Sequence, residues 1–330
     1  MSNVLVFGGA GYIGSHACKL LAARGFTPVV FDNLSEGHRD FVKWGDLIVG
    51  DIANLDSVTS AIETVAPAAA IHFAAYAYVG ESVTDPAKYY RNNIAGSLNV
   101  IEAARAAGNL PLIFSSTCAI YGLPDRDVID ETLPKAPINP YGRTKWVVEQ
   151  ALSDFSEAYG LRSVSLRYFN ASGADEEGEI GEAHRDETHL IPRAILSGLG
   201  RLDDFHVFGD DYETPDGSAV RDYIHVTDLA EAHVAACEYL LDGGNTDQFN
   251  VGVGQGYSVL EIVDAVSRHL ETPVPHKIVP RRAGDPPALI ANPEKIRQRL
   301  GFETRHSSLE NIISTAVAWH RKNWRPGDLN

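Results

Sequence analysis

The 330-residue sequence predicts an α/β protein, a doubly wound parallel sheet followed by a smaller mixed α/β domain. Three observations lead to this. Short unbroken apolar runs alternate with amphipathic stretches through the first half. A glycine-rich turn joins the first run to the first helical stretch. Near residue 170 the pattern changes. Continuous apolar runs separated by helices are the mark of strands covered on both faces. Right-handed crossovers then wind such a sheet in both directions. At about 100–200 residues per domain, a chain of this length suggests two domains. The boundaries are placed at 1–170 and 171–330, with part of 221–250 crossing back to pack on the first domain.

Strands are expected at residues 4–7, 28–31, 47–49, 70–73, 112–114 and 163–166. Helices are expected at 14–24, 55–65, 86–108 and 141–159. Beyond residue 170, the Asp-, Glu- and Gly-rich stretch 174–187 reads as a surface loop. Pro273, Pro275, Pro280, Pro286 and Pro287 break up the chain, elements are expected to shorten, and a helix over 308–322 ends the pattern.

Composition narrows the function classes. Hydrophobic residues make up 44% and charged residues 22%, which is ordinary for a globular chain. The net charge of −16 argues against a broad nucleic-acid surface or a polybasic membrane contact. A phosphorylated ligand stays compatible, because backbone amides and a few arginines can hold one locally. Cys18, Cys118 and Cys237 are far apart and form no C-x-x-C pair, so neither a disulfide framework nor a metal site is expected. No signal-like start and no run of about 20 apolar residues is present, and a cytoplasmic setting is expected.

Gly8, Gly11 and Gly14 form a G-x-x-G-x-x-G turn with Tyr12 and Ile13 between the last two. Glycine allows the tight turn and lets backbone approach a pyrophosphate closely, while the following helix N-terminus offers free amides. Asp32 closes the second strand, 18 residues after Gly14, and an acid there accepts hydrogen bonds from adenosine ribose hydroxyls. It would repel a 2′-phosphate, so NAD is expected over NADP. Asn33 follows it in the turn, and Asp51 and Ile52, after the third strand, are adenine-side candidates.

Tyr141 and Lys145 are four apart at a helix start, so both project from one face. A nearby ammonium favours phenolate and lowers the tyrosine pKa from about 10. Such a tyrosine can remove a hydroxyl proton as hydride leaves the same carbon. Y-x-x-x-K is common by chance. It becomes informative here because a dinucleotide turn precedes it and a strand ending in Ser115, Ser116 and Thr117 lies between. Thr117 offers a hydroxyl to hold the substrate oxygen beside Tyr141.

Together these residues resemble the extended short-chain dehydrogenase/reductase family, and most closely its UDP-hexose 4-epimerase branch. The resemblance covers nearly the whole chain. It rests on Gly8 to Gly14, Asp32-Asn33-Leu34, His72-Phe73-Ala74-Ala75, Val79-Gly80-Glu81-Ser82, Asn92-Asn93, Ser115-Ser116-Thr117, Tyr141 to Lys145 and Arg167-Tyr168-Phe169-Asn170. Later strings are Val220 to His225 and Arg281-Arg282-Ala283-Gly284-Asp285.

This resemblance implies a Rossmann-like NAD domain and a UDP-sugar-binding domain. It implies reversible epimerisation between UDP-galactose and UDP-glucose through a transient 4-keto sugar, with NAD bound throughout. Tyr141, Lys145 and Thr117 are the implied catalytic residues. Phe73, Ala74, Ala75, Asn93, Ser115 and Tyr168 join the implied cofactor contacts. On the substrate side it implies Asn170, Arg221 and Arg282 at the diphosphate, Leu190 and Phe208 at uracil, and Asp285 at a ribose hydroxyl. His189 and Leu289 complete that set. His189 stands where asparagine is frequent, Ala77 where some members carry Lys, and Leu289 at a position whose size governs access of an N-acetyl group.

The resemblance further implies a homodimer formed by helices 86–108 and 141–159, with Ile94, Leu98, Ile101, Val147, Val148 and Leu152 as apolar positions. A UDP-xylose/UDP-arabinose 4-epimerase, or dual specificity, would use the same residues. A nucleotide-sugar dehydratase would need acids after Thr117, where this chain has Cys118 and Ala119. A non-catalytic NAD-binding regulator would lack the tyrosine.

Overall fold

Strand β1 (Asn3–Phe7) is followed by β2 (Thr27–Asp32), β3 (Asp46–Val49), β4 (Ala69–His72), β5 (Leu112–Ser115), β6 (Val128–Ile129) and β7 (Ser163–Tyr168). Then come β8 (Asn170–Ser172), β9 (His206–Phe208), β10 (Val220–His225), β11 (Asp247–Val251), β12 (Gly256–Ser258), β13 (Lys277–Val279) and β14 (Ala288–Ala291). The helices are α1 (Tyr12–Ala23), α2 (Leu55–Val65), α3 (Val79–Thr84), α4 (Pro86–Tyr89), α5 (Ser97–Ala106) and α6 (Pro140–Tyr159). They continue with α7 (Leu190–Gly198), α8 (Val226–Leu241), α9 (Val259–Leu270), α10 (Glu294–Leu300) and α11 (Leu309–Asn323). The structure, a computed structural model, describes residues 2–282 and 285–323; Ala283 and Gly284, the middle of the Arg281–Asp285 string, lie outside the described residues.

Seven strands form one parallel sheet in the order β11-β7-β5-β4-β1-β2-β3. Alternation along β1 explains why helices cover both faces. Val4 and Val6 join Leu21 of α1 and Leu229 and Cys237 of α8 in one buried cluster. Leu5 and Phe7 join Val58 of α2, Ile101 of α5 and Val148 and Leu152 of α6 in another. Each such side chain contributes about 1.5–3 kcal/mol by leaving water. The strand order reverses between β1 and β4, which leaves a crevice at their carboxyl ends.

Only Phe169 separates β7 from β8, so the chain steps directly from this sheet into a five-stranded mixed sheet. That sheet runs β12-β10-β14-β6, with β8 beside β10. Helices α7, α9 and α11 pack against its Tyr223 through Ile195, Val266 and Ile312. Helix α8 and β11 then return to the first sheet, where β11 pairs with β7 and α8 buries Leu229 and Cys237.

Three expectations need correction. The helix expected over 86–108 is not uniform, since a π-helical segment at Tyr90–Gly96 joins α4 to α5. The second half is not made of short elements, because α8 has 16 residues and α11 has 15. The prolines cluster at 273–287 and interrupt only that stretch. Residues 174–187 are irregular and only partly at the surface: Glu176, Glu177, Arg185 and Asp186 are exposed, but Ala174, Ile180 and Ala183 are buried with Trp319. Small apolar residues among the acids anchor this segment.

Candidate active site

A cleft of about 1270 Å³ occupies the crevice and extends from Asp32 to Leu289. Its floor is the glycine turn. Gly8 has φ +79° and packs so closely that a Cβ there would meet the Ala74 nitrogen at 2.6 Å. A Cβ on Gly14 would lie 2.2 Å from the Gly8 oxygen. Side chains are excluded at both positions, and the first turn of α1 presents amides without intrahelical partners. Gly11, Tyr12 and Ile13 line the same wall. This cradle fits the pyrophosphate of a dinucleotide.

At the end of β2, Asp32 accepts hydrogen bonds from the Ala10 amide at 3.0 Å and the Leu34 amide at 2.8 Å. These fix its carboxylate on the cleft wall, and burial raises its pKa. Asn33 lines the cleft and donates to Asp51 at 2.9 Å, while Ile52 lines it directly. Phe73, Ala74 and Ala75 follow β4 along the wall, with Ala77 beyond them.

Helix α6 places the tyrosine and lysine. Asn139 caps it by accepting from the Gly142 amide at 2.8 Å, and Pro140 suits its first turn. Tyr141, Lys145 and Glu149 form a buried stripe four residues apart. Tyr141 and Thr117 both line the cleft, and the Thr117 hydroxyl also accepts from the Ala119 amide at 3.2 Å. The Lys145 ammonium is 6.0 Å from the Tyr141 ring centroid and donates to the Ser115 carbonyl at 2.7 Å. Burial pushes Lys145 down to about 7, against the attraction of Glu149. Burial also pushes Tyr141 well above its ordinary value, and the Thr117 hydroxyl only partly offsets this. Desolvation dominates Tyr141 here.

Behind this wall, Glu149 accepts from Ser116 at 2.5 Å and pairs with Arg167 at 2.6 Å. Arg167 also donates to the Tyr121 hydroxyl at 3.0 Å. Asn93 donates to the Tyr76 carbonyl at 2.9 Å and to Thr144 at 3.3 Å, and accepts from the Tyr76 amide at 3.0 Å and from Asn92 at 2.9 Å. Its hydrogen-bonding capacity is filled within the protein. It therefore positions the wall. Ser115 donates to the Tyr168 hydroxyl at 3.1 Å, and Tyr168 lines the cleft.

On the opposite side, Asn170 donates to the Asp222 carbonyl at 2.9 Å. The Asp222 carboxylate accepts from the Val253, Gly254 and Ala291 amides, and burial pushes it up to about 6. Arg221 pairs with Asp285 and donates to the Pro286 carbonyl. The Arg282 guanidinium stacks 3.9 Å over the Phe208 ring. Asn170, His189, Leu190, Arg282, Asp285 and Leu289 line the cleft. Asp51, Asn93, Lys145, Phe208 and Arg221 stand behind it, each touching a residue that does line it.

Sequence reasoning missed Glu149, Asp222, Glu182 and His184. The i, i+4, i+8 spacing of Tyr141, Lys145 and Glu149 was the signal for the first. The E-x-H-x-x-E-x-H spacing from Glu182 to His189 was the signal for the last two. Asp222 had no signal beyond its place in the Val220–His225 run.

Residues 4–252 match the model of the NAD dependent epimerase/dehydratase family. A UDP-glucose 4-epimerase of Rhizobium meliloti (strain 1021) is 54% identical over 321 residues, covering 97% of this chain and 98% of the relative. The crystal structure of UDP-glucose 4-epimerase from Brucella ovis in complex with NAD is 56% identical, with TM-score 0.95, covering 96% of this chain and 98% of that one. A Stenotrophomonas maltophila UDP-glucose-4-epimerase with bound NAD and formylated UDP-arabinopyranose is 39% identical, with TM-score 0.94, covering 97% and 98%. A glycine cradle, an acid at the end of the second strand and a tyrosine–lysine stripe, with matches of this extent, place the chain in the NAD dependent epimerase/dehydratase family.

Proposed function

We propose that this enzyme interconverts UDP-galactose and UDP-glucose by reversible epimerisation at carbon 4, with NAD held throughout the cycle. The observation that carries the reading is Tyr141 and Thr117 together on the cleft wall, with Lys145 directly behind them. NAD, when bound, supplies the acceptor and donor of hydride at carbon 4, and its positive ring adds charge that favours phenolate. Gly8, Gly11, Tyr12, Ile13 and Gly14 hold the pyrophosphate, and Asp32 takes the ribose hydroxyls. Thr117 holds the reacting sugar oxygen. Tyr141 takes the proton from the 4-hydroxyl and returns it after the 4-keto sugar has turned over. Lys145 would keep Tyr141 poised and, with NAD bound, would help hold the nicotinamide ribose.

Asn170, Arg221, Arg282 and Asp285 anchor the UDP part, Arg221 acting through its ion pair with Asp285. Firm binding there and loose contacts to the sugar allow rotation without loss of the ketone. Residues 1–170 act as the NAD domain and 171–330 as the UDP-sugar domain, with α8 and β11 packed on the former.

We place the enzyme in the cytoplasm, where its three free cysteines suit a reducing setting. No helix among the described residues is long and apolar enough to cross a membrane. The active form is a homodimer through helices 86–108 and 141–159. Ile101, Val148 and Leu152 belong to this chain's own core, which leaves half-buried Ile94 and Leu98 and exposed Tyr90 and Val147 for a second copy. Light scattering that shows only monomer at micromolar concentration removes the dimer.

The deciding experiment compares kcat/KM for UDP-galactose and UDP-arabinose. UDP-galactose turnover at or above that of UDP-arabinose supports the hexose reading. A clear pentose preference replaces it, and no turnover of either rejects it.

A further inference from the structure

Two carboxylates, Glu182 and Glu187, are buried in a chain of net charge −16, with side chains each 4% exposed. Among the described residues no Lys or Arg pairs with either; their ionic partners are His184 and His189. Buried carboxylates are costly unless a cation compensates them. Both histidines turn Nδ1 inward. His184 Nδ1 is 3.3 Å from Glu182 Oε1 and 3.3 Å from Glu187 Oε2. His189 Nδ1 is 2.5 Å from Glu182 Oε1 and 3.5 Å from Glu187 Oε1. One donor atom from each of the four residues lies within 4.8 Å of the others.

Metal–ligand distances of about 2.0–2.2 Å in a tetrahedron require ligand–ligand edges of about 3.3–3.6 Å. With Glu187 Oε2 as the ligand atom, the His184–Glu182 and His184–Glu187 edges already match at 3.3 Å each, and the 2.5 Å His189–Glu182 contact needs to open by about an ångström. Two neutral imidazoles and two carboxylates around a divalent ion give a site with no net charge. Two nitrogens and two oxygens suit zinc, whereas magnesium and calcium favour six or more oxygens.

The surroundings hold these donors in place. Glu187 Oε1 accepts the His189 amide at 2.8 Å, which leaves Oε2 to ligate. Trp319 Nε1 donates to the Glu182 carbonyl at 2.9 Å, and His38 Nε2 donates to the Ala183 carbonyl at 2.6 Å. The Tyr78 ring packs 5.7 Å from His184, and its hydroxyl is buried without a partner.

We propose that Glu182, His184, Glu187 and His189 bind a zinc-class divalent cation, which staples the 182–189 strap that borders the cleft and leads into α7. The ion is structural and takes no part in proton transfer at Tyr141. The site shares His189 and the cleft wall with the substrate set of the sugar-nucleotide reading, and its zinc content is measured without substrate, so failure of one is distinguishable from failure of the other.

The test uses the full-length protein as purified. Zinc content after gel filtration should be one per chain, and Co²⁺ in its place should give the intense visible absorption of a tetrahedral centre. Glu187→Gln and His184→Ala should each weaken zinc binding about tenfold or more, and the zinc-dependent rise in Tm should vanish. Glu187→Gln keeps side-chain size, so it serves if His184→Ala fails to fold. Asp175→Asn, in a separate acidic group, should leave the zinc content unchanged. Wild-type protein that binds no zinc at micromolar concentration overturns the proposal. So does undiminished binding in Glu187→Gln, or a Co²⁺ spectrum of an octahedral aquo ion.

Discussion

The Lys145 ammonium lies 6.0 Å from the Tyr141 ring centroid but directs its hydrogen bond to the Ser115 carbonyl at 2.7 Å. Any effect of the lysine on the tyrosine is therefore through space, while its position is fixed by the strand beneath. Tyr141→Phe should keep NAD and UDP-sugar binding and lose about 10²–10⁴-fold in turnover, the usual size of a general acid–base contribution. Lys145→Ala should also cripple turnover and shift its remaining pH profile toward alkali, because the phenolate loses a neighbouring cation. Steady-state rates from pH 6 to 10 decide both; near-normal kcat in Tyr141→Phe removes the tyrosine from its role.

Asp32 is held by two backbone amides with its carboxylate on the cleft wall. A preference for NAD over NADP is expected from charge at this fixed place. Asp32→Ala should weaken NAD binding about 10–100-fold, equivalent to a charged hydrogen bond of about 1.5–3 kcal/mol. A basic residue introduced nearby should then admit NADP. Nucleotide extracted from wild-type protein should be NAD, and recovery of NADP would contradict the assignment.

Arg167 and Glu149 are a buried ion pair, with side chains 3% and 2% exposed, tying β7 to α6 beneath Thr117. Removing one partner strands the other in a dry site. Glu149→Gln should therefore cost about 3–5 kcal/mol in urea unfolding. A double replacement, Glu149→Met with Arg167→Met, should cost less than the single change. Equal or greater loss in the double variant would show that the pair stabilises beyond mutual neutralisation.

The parallel sheet was readable because apolar runs alternate with helical stretches and because Gly8 to Gly14 fall between the first two elements. Tyr141, Thr117 and Asp32 were readable as residue types at meaningful spacings. Less was readable where function depends on tertiary packing. Nothing local in the sequence says that Arg221 would turn to Asp285, that Arg282 would stack on Phe208, or that Asn93 would be saturated by Tyr76 and Thr144. The partial burial of 174–187 was hidden by its acids, although Ala174, Ile180 and Ala183 anchor it.

Five of the described histidines are buried neutral. Burial pushes His16, His225, His233 and His320 down to about 4 and His72 to about 3. In the unfolded chain each titrates near 6.5, so as pH falls the unfolded state takes up protons first. Stability is therefore present above pH 6.5 and is lost as pH falls toward 4, by up to about 1.4 kcal/mol per pH unit for each imidazole. Asp222, raised to about 6, acts in the opposite direction between about pH 6 and 4 and offsets only part of this. Urea midpoints should fall clearly between pH 7 and pH 5, and equal midpoints would refute the reading.

Leu289 is expected to set the limit on the sugar. It lies in β14 opposite Arg221, lines the cleft, and packs partly buried against the cluster that holds Ile120, Tyr121 and Phe169. Swinging aside would cost it that packing. An N-acetyl group at sugar carbon 2 adds a carbonyl, a methyl and an amide donor. Forcing extra atoms against an anchored leucine costs about 1–3 kcal/mol. Burying the amide without a partner costs about 1–3 kcal/mol more. Together these correspond to a kcat/KM about 30-fold or more lower for UDP-N-acetylgalactosamine than for UDP-galactose, at 1.4 kcal/mol per decade. Leu289→Ser should narrow the gap by removing bulk and offering a hydroxyl. Comparable kcat/KM for the two sugars in the wild type would refute the steric limit. A Leu289→Ser variant that gains nothing on the acetylated sugar would place the block on another part of the wall.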